Sequence, residues 1–167
     1  PRSDSAAARV TAKVVHGLDE LMKAVAIRSA VFIGEQQCPY EEEFDGNDFS
    51  CSHILAYSGD EPIGCVRIRY FGGFAKLERL AVREAFRRHG AGRKLVAAAT
   101  ELCRTKGFLR LYAHAQSRLL PFWSRLGFAR VDGSAAFSFS DARRISRASA
   151  NRMSSTPAPD TAETSIG

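Results

Sequence analysis

The sequence predicts an α/β protein: a mixed, mainly antiparallel sheet with helices on both faces and one parallel strand pair. Short segments of alternating apolar residues are separated by glycine-containing turns, which is typical of antiparallel hairpins. Two other segments repeat apolar residues at three- and four-residue spacing, which is typical of amphipathic helices. One of these helices lies between two predicted strands, and a helical crossover joins parallel strands.

The chain has 167 residues, which suits one domain of ordinary size. Hydrophobic residues make up 45% and charged residues 25%, so disorder over the whole length is not expected. No run of about 18 apolar residues occurs, and no apolar stretch opens the chain, so we expect neither a membrane-spanning helix nor a signal peptide. The four cysteines form no Cys-x-x-Cys pair, which favours reduced thiols, a cytoplasmic location and no metal site.

The first half of the chain is predicted to contain a strand, a helix and two hairpins. Residues 1–12 are expected to be frayed, and Lys13–His16 to form a short strand. An amphipathic helix is predicted from Leu18 to about Ile33, with its apolar face formed by Leu21, Met22, Val25 and Ser29. A polar loop over 36–50 follows. The next predicted strands are His53–Tyr57, Ile63–Phe71 and Phe74–Val82.

The second half is predicted to contain a long helix and several short elements. The helix runs from about Gly90 to Lys106 and ends at Gly107, a suitable C-terminal stop. A strand, a short helix and two strands then follow at Leu109–His114, Leu119–Leu126, Phe128–Val131 and Ala136–Phe139. The domain is predicted to span residues 13–140, and the Ser-, Ala-, Arg- and Pro-rich segment 141–167 to be a flexible tail.

Positive charge is concentrated in the second half. The net charge is +6, from 24 basic and 18 acidic residues. Residues 83–152 carry 15 basic and four acidic residues, whereas residues 1–82 carry nine basic and twelve acidic ones. This asymmetry indicates an anionic ligand, either a nucleic acid or a phosphorylated cofactor, or else only a surface rich in solvated arginines. No nucleic-acid-binding motif accompanies it.

The most informative segment, residues 80–92, joins a predicted strand to the long helix. The N-terminus of a helix offers unpaired backbone N–H groups and a partial positive charge, which together stabilise an anion. Gly90 and Gly92 remove side chains from the place where a pyrophosphate would touch the backbone. Further positive charge around this turn comes from Arg87, Arg88 and Arg93. The pattern therefore predicts an anion site, and the competing interpretation is a turn that only connects two elements.

Two motifs resemble the GNAT superfamily of acyl-CoA N-acyltransferases. The first, similar to motif A, is Leu80-x-Val82 followed by Arg87-x-x-Gly90-x-Gly92. The second, similar to motif B, is His114-Ala115-Gln116 followed by Pro121-Phe122-Trp123-x-x-x-Gly127-Phe128. An N-terminal segment, Arg28-x-x-Val31-Phe32-x-x-Glu35-Gln36, is similar to the ElaA-like branch. The resemblance covers about Lys13 to Phe139.

The resemblance implies a GNAT-like fold and an acetyl-CoA site. The strand before the loop would splay from its parallel neighbour, and the pantetheine arm would enter the gap and pair with the strand backbone. The loop amides would bind the pyrophosphate, and the segment after the second strand would flank the arm. The implied cofactor-binding residues are Leu80, Ala81, Val82, Arg87, Arg88, His89, Gly90, Ala91, Gly92, Arg93, Gln116 and Phe122, with no metal.

Acyl transfer to an amine requires removal of a proton, stabilisation of the oxyanion and protonation of the leaving thiolate. Glu78 is the predicted general base, because alternation places residues 78, 80 and 82 on one face of the strand. The alternative is that Glu78 is only a surface carboxylate paired with Arg79 or Lys76. His114, at the end of the neighbouring strand, is the second candidate. It would either act as the base in place of Glu78 or only form a hydrogen bond within the site.

The remaining catalytic functions involve the backbone and Trp123. A backbone N–H near Val82 is the family-like oxyanion donor. Trp123 stands where many family members have a tyrosine that protonates the thiolate, and an indole N–H does not titrate. We expect Trp123 to pack against Phe122, Phe128 and the pantetheine arm.

Several charged residues allow two interpretations. The acidic loop from Glu41 to Asp48 either attracts a cationic amine or is simply solvated. Arg28 and Glu35, near one face of the first helix, are expected to pair with each other. Arg67 and Arg69 either line a site or lie in solvent.

We therefore expect an N-acyltransferase that moves an acetyl or short acyl group from acetyl-CoA to a primary amine of a small molecule or peptide. The alternatives are a long-chain acyltransferase similar to acyl-homoserine-lactone synthases and a non-catalytic acyl-CoA-binding module. The intact Gly90-x-Gly92 favours acetyl-CoA over the first alternative. A nucleic-acid binder would show strongly salt-dependent affinity, and we expect neither a specific nucleic acid nor a membrane as partner. The sequence identifies no acceptor, and it does not distinguish a monomer from a homodimer.

Overall fold

The structure is a computed structural model that describes residues 9–130 and the backbone of residues 152–154. These residues form one sheet of seven strands, in the spatial order β1–β2–β3–β4–β5–β7–β6. The strands are β1 Val10–Val14, β2 Ser52–Ser58, β3 Glu61–Phe71, β4 Phe74–Val82, β5 Leu111–His114, β6 Ala129–Arg130 and β7 Arg152–Ser154. Neighbouring strands are antiparallel except β4 and β5, which are parallel. The predicted mixed sheet with one parallel pair is confirmed.

Four α-helices accompany the sheet in the described residues: α1 Leu18–Arg28, α2 Tyr40–Glu43, α3 Ala91–Thr105 and α4 Leu120–Arg125. A π-helix, Ser29–Glu35, continues α1 directly. Short 3-10 turns lie at Asp48–Ser50, Glu84–Phe86 and Ser117–Leu119. None of the helices in this part of the chain is long and apolar enough to cross a membrane.

An apolar layer covers each face of the sheet, as predicted. On one face α3 packs Leu95 and Ala99 over strand residues that include Ile54. On the other face α1 packs Ala24 over strand residues that include Leu55. Because Ile54 and Leu55 are neighbours in β2, they point to opposite sides of the sheet. Helices therefore bury the two faces separately.

The N-terminal elements differ from the sequence prediction in their bounds. The first strand lies at Val10–Val14 rather than Lys13–His16. The helical segment ends at Glu35, because the π-helix extends it past Ile33. Its buried face is also shifted, to Ala24, Ile27, Arg28, Val31 and Phe32. Met22, placed on the apolar face by its spacing, is 54% exposed. Spacing could not anticipate that face because it includes a buried arginine.

The C-terminal elements follow the predicted order. The long helix, β5, α4 and β6 lie within a few residues of their expected bounds. Three residues of the segment 141–167, Arg152–Ser154, form β7, which pairs with both β5 and β6. The predicted strand Ala136–Phe139, residues 1–8 and the rest of the segment 141–167 lie outside the described residues. The domain boundary at residue 140 stays a prediction.

Candidate functional site

The parallel strands β4 and β5 separate after three paired positions. Ala75, Lys76 and Leu77 pair with Leu111, Tyr112 and Ala113, and the described residues show no later pair between the two strands. β4 continues to Val82, whereas β5 ends at His114. A gap therefore opens at the carboxyl ends of the two strands. The predicted residues Leu80, Ala81 and Val82 lie along one side of it, and His114 lies at the end of the other strand.

A β-bulge in β4 changes which residues face the same side. Arg67 pairs with Glu78, and Cys65 pairs with Ala81, so two steps along β3 match three along β4. Arg79, inside the bulge, has a φ of 53°, in the left-handed region. Leu80 and Val82 consequently pack against the core under α3. Glu78 lies on the α1 side, beside Arg67.

The prediction that residues 78, 80 and 82 share one face is therefore wrong. Simple alternation fails because the bulge inserts one residue between Glu78 and Ala81, and an extra residue reverses every later side chain. The same bulge directs β4 away from regular pairing at the level where the gap opens.

The N-terminus of α3 presents free backbone donors next to the gap. No side chain caps this helix, and its first internal hydrogen bond runs from Lys94 N to Gly90 O at 3.0 Å. The N–H groups of Ala91, Gly92 and Arg93 precede that bond and are the orphan donors of the first turn. Gly90 has a φ of 80°, which glycine adopts at little cost. This end of α3 has the chemistry of an anion site.

Basic side chains surround this helix end. Arg88, His89 and Arg93 are exposed, and the guanidinium of Arg87 is half-buried. Arg87 donates from Nε to the carbonyl oxygen of Val82 at 2.9 Å and forms an ion pair with Glu35. The loop thus places its predicted cationic residues around the free N–H groups.

Gln116 and Phe122 bring the second motif to the same place. The ring of Phe122 lies so close to α3 that a Cβ atom added at Gly92 would be 3.2 Å from its Cζ. Gly92 therefore permits the close approach of the two motifs, which are thirty residues apart in sequence. Gln116 donates from Nε2 to Oε1 of Gln36 at 2.8 Å.

Trp123 is a core residue, with 2% of its surface exposed. Its ring makes edge-on contacts with Phe122 and Phe128, at centroid distances of 5.5 and 5.0 Å. The expected packing against these two rings is confirmed. The indole Nε1 is buried and has no hydrogen-bond partner among the described residues.

A cluster of buried ion pairs lies on the α1 side of the sheet. Its centre is Arg28 and Arg67, both 0% exposed. Arg67 contacts three carboxylates, with N–O distances of 2.6 Å to Asp45, 3.0 Å to Asp48 and 2.7 Å to Glu78. Arg28 pairs with Asp48 at 2.6 Å and with Glu43. A buried charge is tolerated only when partners of this kind surround it.

The cluster decides the open questions about the charged residues. The acidic loop is not simply solvated: Glu43, Asp45 and Asp48 turn towards arginines, while Glu41 and Glu42 stay exposed. Arg67 does not lie in solvent, and Arg69 is partly exposed, 3.7 Å from the Glu78 carboxylate. The expected pair between Arg28 and Glu35 is wrong, because each has a different partner. Seven residues span about two helical turns, roughly 10 Å, which is too far for direct contact.

Glu78 is a buried carboxylate held by cations. It accepts hydrogen bonds from Arg67 and contacts Lys76 Nζ at 2.9 Å, so the predicted partner Lys76 is found, whereas Arg79 instead contacts Glu43 at 2.9 Å. Burial alone would raise the pKa of Glu78, but Lys76 and Arg67 outweigh it and lower that pKa below its ordinary value. Glu78 is thus ionised at neutral pH and a weak proton acceptor.

Burial and ion pairing also have opposite effects on the pKa of Asp45 in the acidic loop. Burial opposes ionisation of Asp45, yet its hydrogen bonds with Arg67 and the Asn47 N–H hold the pKa of Asp45 well below its usual range. His53 is buried next to the cluster, and burial lowers its pKa. Its Nε2 donates to the carbonyl oxygen of Asp48 at 2.9 Å, which fixes the tautomer of a neutral ring.

Two residues at the mouth of the gap were not among the predicted site residues. Glu35 contacts Arg87, and Gln36 contacts Gln116, so the end of the π-helix reaches both sides of the gap. Gln36 enters the sequence prediction only as part of the N-terminal motif, whereas Glu35 is also predicted, wrongly, to pair with Arg28. Their adjacency in that motif was the available signal, but the contacts with Arg87 and Gln116 require the tertiary fold.

Comparison with known proteins gives the same picture. The model of the acetyltransferase (GNAT) family matches residues 21–128. The N-acetyltransferase YjcF of Bacillus subtilis is 33% identical over 110 residues, which is 66% of this chain and 79% of that protein. ElaA of Escherichia coli is 31% identical over 120 residues, which is 68% of this chain and 78% of that protein.

Solved structures share the fold. The crystal structure of Escherichia coli ElaA has a TM-score of 0.69, at 24% identity over 87% of this chain and 97% of that one. The N-acetylglutamate synthase of Neisseria gonorrhoeae, solved in complex with coenzyme A and N-acetyl-glutamate, has a TM-score of 0.62 at 20% identity, over 88% of this chain and 35% of that one. The chain therefore belongs to the acetyltransferase (GNAT) family, within its ElaA-like branch, and is an N-acetyltransferase of that family.

Proposed function

We propose that this protein transfers an acetyl group from acetyl-CoA to the primary amine of a small molecule or peptide. The proposal rests on one observation: the gap between β4 and β5 ends at the uncapped N-terminus of α3, among arginines. Coenzyme A carries a pyrophosphate, and such an anion is stabilised at a helix N-terminus. The coenzyme A complex of the structurally similar Neisseria synthase supports this choice of donor.

The residues around the gap fit this cofactor. Gly92 has no side chain, so the Phe122 ring packs closely against the first turn of α3, beside the free N–H groups. The amides from Arg87 to Arg93 would bind the pyrophosphate, with the side chains of Arg88 and His89 beside it. The backbone of Leu80, Ala81 and Val82 would bind the pantetheine arm, and Gln116 and Phe122 would flank it. Bound acetyl-CoA supplies the thioester carbonyl that the amine attacks.

For proton removal from the amine, the geometry favours His114 over Glu78. His114 ends β5 where the gap opens, and histidine is the side chain that most often acts as a general base. Glu78 is already paired with Arg67 and Lys76, and its pKa is lowered. Its role in this proposal is to hold those cations beside the gap. A backbone N–H near Val82 would stabilise the oxyanion.

The leaving thiolate needs no side-chain acid in this scheme. Trp123, at the position of the usual tyrosine, cannot supply a proton. A thiol has a pKa of about 8.5, so its anion is a tolerable leaving group near neutral pH. We also propose a cytoplasmic location, which the four free cysteines, three of them buried, support.

The test measures thiol release from acetyl-CoA with a panel of amines, amino acids and peptides, alongside calorimetric titration with coenzyme A. Turnover with any amine supports the proposal. Coenzyme A binding without turnover across the panel would favour a non-catalytic binding module. Acyl transfer from an acyl carrier protein but not from acetyl-CoA would favour the long-chain alternative. Absence of coenzyme A binding by the folded protein would contradict the proposed donor.

A further inference from the structure

The end of the π-helix spans the mouth of the gap through two consecutive residues. Glu35 forms an ion pair with Arg87, which belongs to the loop after β4. Gln36 accepts a hydrogen bond from Gln116, which follows β5. The segment on the α1 side is therefore attached to both strands that border the gap.

The local backbone explains how these residues reach so far. The π-helix Ser29–Glu35 follows α1 without a break, and its wider turn rotates the residues after it relative to a continuous α-helix. Gln37 then takes a φ of 54°, which turns the chain away. Glu35 is the last residue of the π-helix, and Gln36 lies between it and Gln37. Irregular backbone of this kind is found preferentially at functional positions.

Arg87 has two competing partners, the Glu35 carboxylate and the proposed pyrophosphate. In the proposed function Arg87 belongs to the loop that binds the pyrophosphate, yet its guanidinium is occupied by a carboxylate. The two side chains are 31% and 39% exposed, so the pair can open without burying an unpaired charge. When Arg87 remains with Glu35, a bound pyrophosphate lacks that cation.

We propose that Glu35 is a gate on cofactor binding: it holds Arg87 in the free protein and must release it to the pyrophosphate. This inference rests on the proposed function, because it assumes that coenzyme A binds at the loop. It assigns Glu35 a role as a positioning residue that sets the affinity for the cofactor. A purely structural role, in which Glu35 orients Arg87 towards its ligand, predicts a change of opposite sign when the carboxylate is removed.

The test is calorimetric titration of the full chain with coenzyme A. Glu35→Gln should bind coenzyme A about two- to five-fold more tightly at low salt, since releasing Arg87 no longer costs an ion pair. The gain should fall below about two-fold at about 0.5 M salt, because screening weakens exposed pairs. Thermal unfolding of the wild type and of Glu35→Gln is measured alongside, and both should unfold in a cooperative transition.

Two controls separate the gate from a general charge effect. Glu101→Gln makes the same change in net charge at another exposed glutamate–arginine pair, with Arg104. It lies ten residues along α3, about 15 Å from the helix N-terminus, and should raise the affinity by less than Glu35→Gln does, because it removes no partner of Arg87. Arg87→Gln should weaken binding, and adding Glu35→Gln to it should give no further gain.

Each outcome bears on the inference. Unchanged or weaker binding by folded Glu35→Gln would overturn the gate while leaving the proposed function in place. A gain that persists in the Arg87→Gln background would also overturn it, since Glu35 would then act by repelling the ligand directly. A wild-type protein that does not bind coenzyme A at all would contradict the proposed function and the gate together.

Discussion

Arg67 and Glu78 lie opposite each other on β3 and β4, and the buried guanidinium donates to the carboxylate with an Nη2–Oε2 distance of 2.7 Å. Arg67 also binds Asp45 and Asp48, which belong to the loop between α2 and β2. The loop is thereby attached to the strand that borders the gap. A single arginine thus links the covering loop, the sheet and one side of the candidate site.

The contribution of Arg67 to the free energy of unfolding can be measured. We expect Arg67→Ala to lower the free energy of unfolding by about 3–5 kcal/mol, because removing one partner leaves buried carboxylates uncompensated. Urea unfolding at neutral pH measures it. Arg104→Ala, which removes an exposed pair with Glu101, is the matched control and should cost much less stability than Arg67→Ala. Equal losses in the two variants would show that the cluster does not hold the fold together.

Asp45 should make stability depend on pH. Its pKa in the folded protein lies well below the ordinary 3.8, so its contribution is present above that ordinary pKa and is lost as pH falls towards the folded value. Asp45→Asn should therefore cost about 1–3 kcal/mol at neutral pH, and the cost should shrink below about pH 4.

Urea unfolding of Asp45→Asn and wild type between about pH 3 and pH 7 tests this dependence. Glu41→Gln, at an exposed position of the preceding helix α2, is the control and should show no such trend. A cost for Asp45→Asn that is the same at every pH would mean that the carboxylate does not stabilise the fold through its charge.

Gly92→Val should weaken binding of coenzyme A about ten-fold or more, because the side chain blocks one or two charge-assisted bonds of roughly 1.5–3 kcal/mol each. The fold should survive, since the new Cβ meets the end of the half-buried Phe122 ring rather than backbone. Calorimetry measures the affinity. Gly72→Val, at an exposed turn with open space around it, is the control and should bind normally. Unchanged affinity in folded Gly92→Val would remove the cofactor from this loop.

The two candidate bases should behave differently. His114→Gln should lower kcat by about 100-fold or more, with a smaller loss at high pH, where more of the amine is already neutral. Glu78→Gln should mainly lower stability and leave the shape of the pH–rate profile unchanged, because Glu78 stays ionised across the working range. Steady-state rates over a range of pH decide between them. A profile that loses its acidic limb only in Glu78→Gln would make Glu78 the base.

Trp123 should matter for packing rather than for proton transfer. Trp123→Phe keeps an aromatic ring between Phe122 and Phe128 and should change the rate little, since Nε1 has no partner in the described structure. Trp123→Ala should lose about 3–5 kcal/mol of stability, because the side chain is buried.

Trp123→Tyr restores an ionisable hydroxyl and should match or exceed the wild-type rate below the pKa of the leaving thiol. Rates of all three variants at several pH values provide the measurement. A large rate loss in stably folded Trp123→Phe would show that the indole N–H itself takes part in the reaction.

Local sequence determined the order of the elements and the place of the candidate anion site. Apolar periodicity depends only on residues within a few positions of one another, so it located β2 to β4 and α3 closely. The glycines and arginines from Arg87 to Arg93 are likewise adjacent in the chain. Because the strand before them and the helix after them were both recognisable, the predicted loop lies at the N-terminus of α3.

Only the tertiary structure decided what the charged residues do. The bulge at Arg79 places Glu78 opposite Arg67, and a one-residue insertion leaves no mark in the alternation. The buried pair of Arg28 with Glu43 and the contact between Glu35 and Arg87 join residues 15 and 52 positions apart. Burying an unpaired charge is costly, so a buried charge is stable only next to an opposite charge that the fold brings into contact with it. Local sequence does not indicate which distant charged residues come into contact.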